Sequence, residues 1–199
     1  MKKLSLICIF FILISKTLSA YTYSSDPQQF ITELVNDAIS KLSDKNVGKE
    51  EKKEFVKKVA IENVDINALG LYTLGELRKS TDKDLLLKYQ VSFEKYFLKS
   101  LTSRLSDYSD SKFEVIGADK KSVNYTIVKS KILENENQPE IKIDWRVYTK
   151  NPDKPLIRDL IVEGLSLART QKEEFGSILN SNDSDINILI SKLNEFVKN

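Results

Sequence analysis

The chain of 199 residues contains no histidine. That absence removes the Ser-His-Asp triad, the Cys-His pair and every zinc site that relies on imidazole. Its one cysteine, Cys8, lies within an apolar N-terminal run, so the residues that follow have no thiol nucleophile and no disulfide. Glycine is scarce as well. Its six residues are scattered singly, and no Gly-rich loop can cradle a phosphate. No basic block interleaved with aromatics is present, which argues against a nucleic-acid partner.

What is there begins with Lys2 and Lys3, a mostly apolar run from Leu4 to Ile14, and small residues through Thr17, Leu18, Ser19 and Ala20. This is the layout of an export signal, with residues 1–20 removed and 21–199 left as one domain. The run is well short of the roughly 20 apolar residues of a membrane span. Leu6 and Ile7 stand before Cys8 where a lipoprotein signal carries small residues, so a lipid anchor is not expected. Cleavage takes Lys2, Lys3 and Lys16 from 31 basic residues and leaves 28 against 29 acidic ones, one net negative charge. The basicity of the precursor therefore belongs to its targeting segment. A cysteine-free remainder suits an oxidising compartment, and about 180 residues bury a core without needing disulfides.

Element signals follow in order. Asp26-Pro27 is a helix start, and Phe30, Ile31, Leu34, Val35, Ala38, Ile39 and Leu42 make one apolar face behind it. A turn at Asn46-Val47-Gly48 precedes a second helix carrying Phe55, Val56, Val59 and Ala60. Asp65 caps a short third helix with Ile66, Leu69, Leu71 and Leu74. Thr81-Asp82-Lys83-Asp84 resembles a capping box for a long fourth helix, whose stripe comprises Leu86, Tyr89, Phe93, Tyr96, Phe97, Leu101, Leu105 and Tyr108. Such a stripe is an ordinary core face or the wall of an apolar cavity.

From Lys112 the period becomes two. Strands are expected from Phe113 and Val115, through Val123, Tyr125 and Ile127, through Ile141, Ile143, Trp145 and Val147, and from Leu156 to Leu167. The intervening links are Gly117 to Lys121, Asn135 to Pro139 and Asn151 to Pro155, short enough to imply an antiparallel meander. In the last strand Leu160, Val162 and Gly164 share one face and Ile161, Leu165 and Leu167 the other, with Gly164 admitting a close neighbour. Two helices close the chain, from about Thr170 and from about Asp183. The expected fold is α+β: four helices, a four-stranded antiparallel sheet and two more helices, with an apolar cavity between sheet and helices.

Carboxylates are the remaining catalytic currency. A glycosidase-like pair drawn from Asp144, Asp159, Glu163, Glu173 and Glu174 defines an envelope-hydrolase alternative. Asn124-Tyr125-Thr126 has the form of a glycosylation acceptor but falls inside a strand. From composition and periodicity, the reading stops at an exported α+β domain with an apolar interior.

Three local motifs extend it. Val162-Glu163-Gly164-Leu165-Ser166-Leu167 with Lys172-Glu173-Glu174-Phe175 and the helix from Ile186 to Leu193 resemble the strand-to-helix signature of the MlaC, or toluene-tolerance, family. Val64-Asp65-Ile66 leading to Leu74-Gly75, then Phe93, Leu101 and Tyr108, is similar to a second family segment, and Trp145-Arg146-Val147 to a third. Lys172, Gln171 and Leu165 depart from the family's usual Arg, aromatic and Val. The resemblance implies a non-enzymatic periplasmic carrier with glycerophospholipid as cargo and no cofactor. Its partners would be an inner-membrane MCE-domain ABC transporter complex and an outer-membrane lipoprotein-porin complex, maintaining outer-membrane lipid asymmetry. Lipid-binding residues are expected at Phe93, Phe97, Tyr125, Ile143, Trp145 and Val147. A different periplasmic acyl-chain carrier or lipoprotein chaperone would use the same cavity logic.

Overall fold

The structure, a computed structural model, describes residues 23–105, 112–134 and 139–199. The expected export signal and Tyr108 lie outside these residues, as does most of the link after Asn135.

Helix α1, Pro27–Ser43, starts where the Asp26 carboxylate accepts the Gln29 N–H at 2.9 Å, with Pro27 in the first turn. An aspartate cap of this kind is worth about 1 kcal/mol. Helix α2, Lys49–Asn63, runs into an extended residue, Val64, and Asp65 then caps α3, Ile66–Thr73, by accepting the Ala68 N–H at 3.1 Å. Gly75 takes a left-handed φ of 58° just past the end of α3 and turns the chain into the short α4, Leu77–Ser80.

The start of α5, Lys83–Leu105, differs from the expected capping box. The Thr81 hydroxyl donates to the Leu77 carbonyl at 2.6 Å and closes α4. Asp82, one residue on, caps α5 by accepting the Leu85 N–H at 2.9 Å.

Five strands follow: β1 Phe113–Ser122, β2 Tyr125–Ile132, β3 Ile141–Tyr148, β4 Leu156–Val162 and β5 Leu165–Ser166. They form one antiparallel meander in sequence order. The α+β class and the order of helices, sheet and helices are as expected, with the four-residue α4 and the two-residue β5 as additions. The segment from Gly117 to Lys121, expected as a link, is the second half of β1; the turn lies at Val123-Asn124, and Val123 is 82% exposed. Two register shifts in β1, at Val115/Gly117 and Lys120/Ser122, absorb the extra residues and obscure its alternation.

Glu163 (φ 49°) and Gly164 (φ 82°) form the two-residue connection between β4 and β5. Two successive left-handed residues are the requirement of a type I′ hairpin turn. A Cβ on Gly164 would meet nothing within 4 Å, so its role is backbone conformation and not the close approach expected of it. Helix α6, Leu167–Asn180, begins three residues earlier than expected because Ser166 caps it by accepting the Arg169 N–H. Helix α7, Ile186–Lys198, is capped by Asp185.

Two cores result. Phe30, Ile31 and Leu34 of α1 and Phe55, Val56 and Val59 of α2 pack on one sheet face, against Val128, Val147 and Ile157. The aromatic residues of α5 join Ile66, Leu74, Phe175, Leu179, Leu189 and Leu193 from α3, α6 and α7 in a separate helical core. There Phe93 meets Phe175 edge to face at 6.2 Å, a favoured ring geometry. The core reading of the α5 stripe therefore applies to Tyr89 and Phe93.

Candidate functional site

Strand register decides which side chains share a surface. Val128 pairs with Trp145, Thr126 with Val147 and Ser130 with Ile143, so these lie on the α1/α2 face. Tyr125 pairs with Tyr148, Ile127 with Arg146 and Lys129 with Asp144, and these form the opposite face. Over that second face lie α3 and the start of α6, and the space between holds a groove of about 810 Å³. Its wall contains Ala68, Leu69 and Tyr72 from α3, Tyr125 and Ile127 from β2, Ile161 from β4 and Ala168 from α6. Ile127 is buried and Leu69, Ile161 and Ala168 half-buried, whereas Lys121, Ser122, Lys129 and Arg146 are exposed at the edge. The groove thus has an apolar floor and a charged rim.

The six residues expected to bind lipid are divided among three places. Tyr125 stands in the groove wall. Val147, fully buried, and Trp145 pack in the α1/α2 core, and Ile143 lies on that same face. The Trp145 indole donates to the Ser130 hydroxyl at 2.8 Å, and Ser130 donates to the Ile143 carbonyl at 2.9 Å, so the one polar atom of the ring is satisfied away from the groove. Phe93 and Phe97 belong to the helical core. Leu69, Tyr72, Ile127 and Ile161, absent from the expected set, are the apolar wall of the groove. Ile161 and Leu69 were visible as members of periodic patterns, but no sequence signal says which face of β2 and β4 meets α3.

Arg158 braces the groove. Its Nε and Nη2 groups donate to one oxygen of Asp65 at 2.8 and 2.7 Å, and its Nη1 donates to the Tyr125 hydroxyl at 2.9 Å. The guanidinium also lies 3.4 Å from the Tyr148 ring centroid. Burial works against its charge, yet the Tyr125 hydroxyl and the Asp65 carboxylate outweigh that cost and raise its pKa above the ordinary arginine value. Because Asp65 also caps α3, this network ties the helix over the groove to the sheet beneath it. A backbone bond from the Asp65 N–H to the Ile157 carbonyl, 2.9 Å, adds to the tie.

The carboxylates considered for hydrolysis are engaged separately. Asp159, 3% exposed, accepts the Ser166 hydroxyl at 2.6 Å and the Ala168 N–H at 3.0 Å, fixing β4 to the start of α6. Glu163 accepts the Lys142 N–H across the hairpin, Glu173 pairs with Arg169 on the surface, and Glu174 accepts from Gln171. Asp144 stands alone among them in the groove wall. Among the described residues no group of three or more His, Cys, Asp or Glu is placed to hold a metal, and no helix is long and apolar enough to cross a membrane.

The family model described as MlaC protein matches residues 32–195, a range that holds the whole helical core, most of the α1/α2 core and every element of the groove. The chain belongs to the MlaC family. Among solved structures it is similar to the phospholipid-binding protein of Ralstonia solanacearum in complex with a phospholipid, with a TM-score of 0.70 and 17% sequence identity. The likeness covers 86% of this chain and 96% of that one, so the two share a fold over most of their lengths. No curated protein matches. MlaC proteins are carriers without catalytic chemistry, and in this chain Asp159, Glu163, Glu173 and Glu174 are each held by separate partners.

Proposed function

We propose that this MlaC protein is a periplasmic phospholipid carrier whose acyl chains lie in the groove between the Tyr125–Ile127 face of the sheet and helices α3 and α6. The observation that carries the reading is the groove itself, about 810 Å³ with an apolar floor and a charged edge. A methylene group fills about the same space as a water in the liquid, roughly 30 Å³, so the groove has room for about 27 of them. That is the scale of a two-chain lipid. Each methylene exposed to water costs about 0.8 kcal/mol, so a carrier that leaves a membrane with such a cargo must cover nearly all of it. The solved relative supports the same ligand class, since it was obtained with a phospholipid bound.

On this reading Tyr125 is the one residue of the original six in direct contact with cargo, and Leu69, Tyr72, Ile127 and Ile161 complete the wall. Phe93, Phe97, Ile143, Trp145 and Val147 stiffen it from behind. The carrier would exchange lipid between an inner-membrane MCE-domain ABC transporter complex and an outer-membrane lipoprotein-porin complex, after removal of the export signal. Mass spectrometry of protein purified without detergent tests the reading. Co-purifying phospholipid at about one lipid per chain is the expected result. Lipid-free protein that also extracts none from vesicles sinks it.

A further inference from the structure

The charged edge of the groove has a pattern of its own. Lys129 and Arg146 stand on adjacent strands, diagonal to one another in the register that pairs Lys129 with Asp144 and Ile127 with Arg146. Diagonal positions on one sheet face are about 7–8 Å apart, a gap that two long cationic side chains can close around one small anion. Lys129 is exposed and makes no ion pair or hydrogen bond among the described residues, although its charge acts on nearby Asp119. Arg146 has a single contact, 3.6 Å from the Asp159 carboxylate, and its side chain is 44% exposed. At that separation the contact is an ion pair and not a hydrogen bond, and the carboxylate's short bonds go to Ser166 and Ala168. The guanidinium therefore keeps most of its five N–H groups for a ligand.

The neighbouring charges refine the fit. Lys121 is paired with Asp119, and Arg158 with Asp65, so neither competes for the same anion. Asp144 lines the groove beside Lys129 and, among the described residues, has no cationic partner within ion-pair distance. Its charge opposes a dianion more than a monoanion. A phosphodiester, with one negative charge spread over two oxygens, suits two donors next to one carboxylate better than inorganic phosphate does.

We propose that Lys129 and Arg146 form a phosphodiester subsite at the rim, which holds the head-group phosphate of the lipid whose chains occupy the floor. This rests on the carrier reading, and it adds that uptake discriminates phospholipids from neutral lipids of the same chain length. Charge-assisted hydrogen bonds are the strong kind, and losing two of them at a partly exposed site weakens binding about tenfold or more.

The test uses matched-chain phosphatidylethanolamine and diacylglycerol, each delivered from cyclodextrin so that no membrane surface contributes. The proteins are the delipidated wild type, the Lys129→Gln/Arg146→Gln double variant, and Lys45→Gln on the α1–α2 connection as a control. The wild type is expected to bind phosphatidylethanolamine about tenfold more tightly than diacylglycerol. The double variant should lose that preference while its diacylglycerol affinity stays within about twofold, and Lys45→Gln should keep it. An unchanged preference in the double variant overturns the subsite and leaves the carrier reading standing. Failure of the wild type to bind either lipid overturns the carrier reading itself. Titration with inorganic phosphate alone separates the sources: displacement of neither lipid is expected, and saturable phosphate binding without lipid discrimination reassigns the two cations to a free anion and overturns the proposal.

Discussion

Removing the Asp65 charge tests how the groove is held together. Asp65 performs two tasks at once: one oxygen caps α3 by accepting the Ala68 N–H, and the other receives two N–H groups of Arg158. The substitution Asp65→Asn preserves an oxygen for the cap and removes the ion pair. The two side chains are 18% and 25% exposed. A fully exposed pair contributes less than about 1 kcal/mol, whereas stripping one partner from a buried pair costs 3–5 kcal/mol, so about 2 kcal/mol is expected here. Asp65→Ala loses the cap as well, which adds about 1 kcal/mol.

Urea unfolding followed by circular dichroism gives both values, provided the slope of the transition is unchanged. A cycle with Arg158→Met isolates the pair, because the double variant leaves no uncompensated charge. Its cost should fall about 1–2 kcal/mol short of the sum of the single ones. If Asp65→Asn unfolds within about 0.5 kcal/mol of the wild type, or the two substitutions are additive, the brace contributes no coupling and α3 is held by its apolar contacts alone.

Other consequences follow from the groove wall and from buried positions. Ala68→Trp, which fills the groove from α3, is expected to displace about five methylene groups and weaken lipid binding by about 4 kcal/mol, near a thousandfold, with the thermal midpoint little changed; vesicle extraction assays measure it. Gly70→Ala would place its Cβ 2.9 Å from Phe93 Cδ1, a ring hemmed by Tyr89, Tyr96, Phe97 and Phe175. Overpacking of about 1–3 kcal/mol should outweigh the gain of up to about 1 kcal/mol in helix propensity, so denaturant titration is expected to show a net loss. Burial pushes the Tyr89 phenol above its ordinary pKa of 10, although its hydroxyl bonds Thr73 at 2.7 Å. Below pH 10 both states keep the proton and stability is complete; above it the unfolded chain ionises first, so the wild type should lose up to about 1.4 kcal/mol per pH unit more than Tyr89→Phe. Equal alkaline profiles would refute the burial argument.

Local signals in the sequence were reliable where one residue type satisfies one backbone need. Asp26, Asp65 and Pro27 mark helix starts because a carboxylate or a fixed φ answers the free N–H groups of the first turn, whatever lies further away. The capping box at Thr81 failed for a related reason: a short helix ended there, and its last carbonyl took the hydroxyl first. The extra length of β1 was hidden by its two register shifts, which break the period of two across Gly117 and Ser122. The groove was least legible. Alternation within β2 and within β3 was plain, but placing Tyr125 relative to Trp145 and Val147 required knowing the register between the two strands, which alternation within each does not give. The register places Tyr125 opposite Tyr148, so the two sets fall on opposite faces.

On the proposed carrier reading, this division of faces has a physical cause. The most apolar alternation in β3, Ile143, Trp145 and Val147, marks a face covered permanently by α1, where burial continues in the absence of any ligand. The groove face, as the proposed cargo surface, is under different constraints. With the groove empty it meets water, and with cargo bound it must accommodate both hydrocarbon and a hydrated head group, so it carries Asp144, Arg146 and Tyr148 on β3 and Tyr125, Ile127 and Lys129 on β2. Its mixed character lets the protein remain folded between loading and delivery. A uniformly apolar face would favour collapse of α3 onto the sheet, and the Arg158 brace, which fixes the α3 N-terminus through hydrogen bonds and charge, keeps that wall in place without filling the space. In this chain the strongest hydrophobic stripe of β3 belongs to the α1/α2 core, and the proposed cargo surface is the strand face whose apolar residues are interrupted by charges.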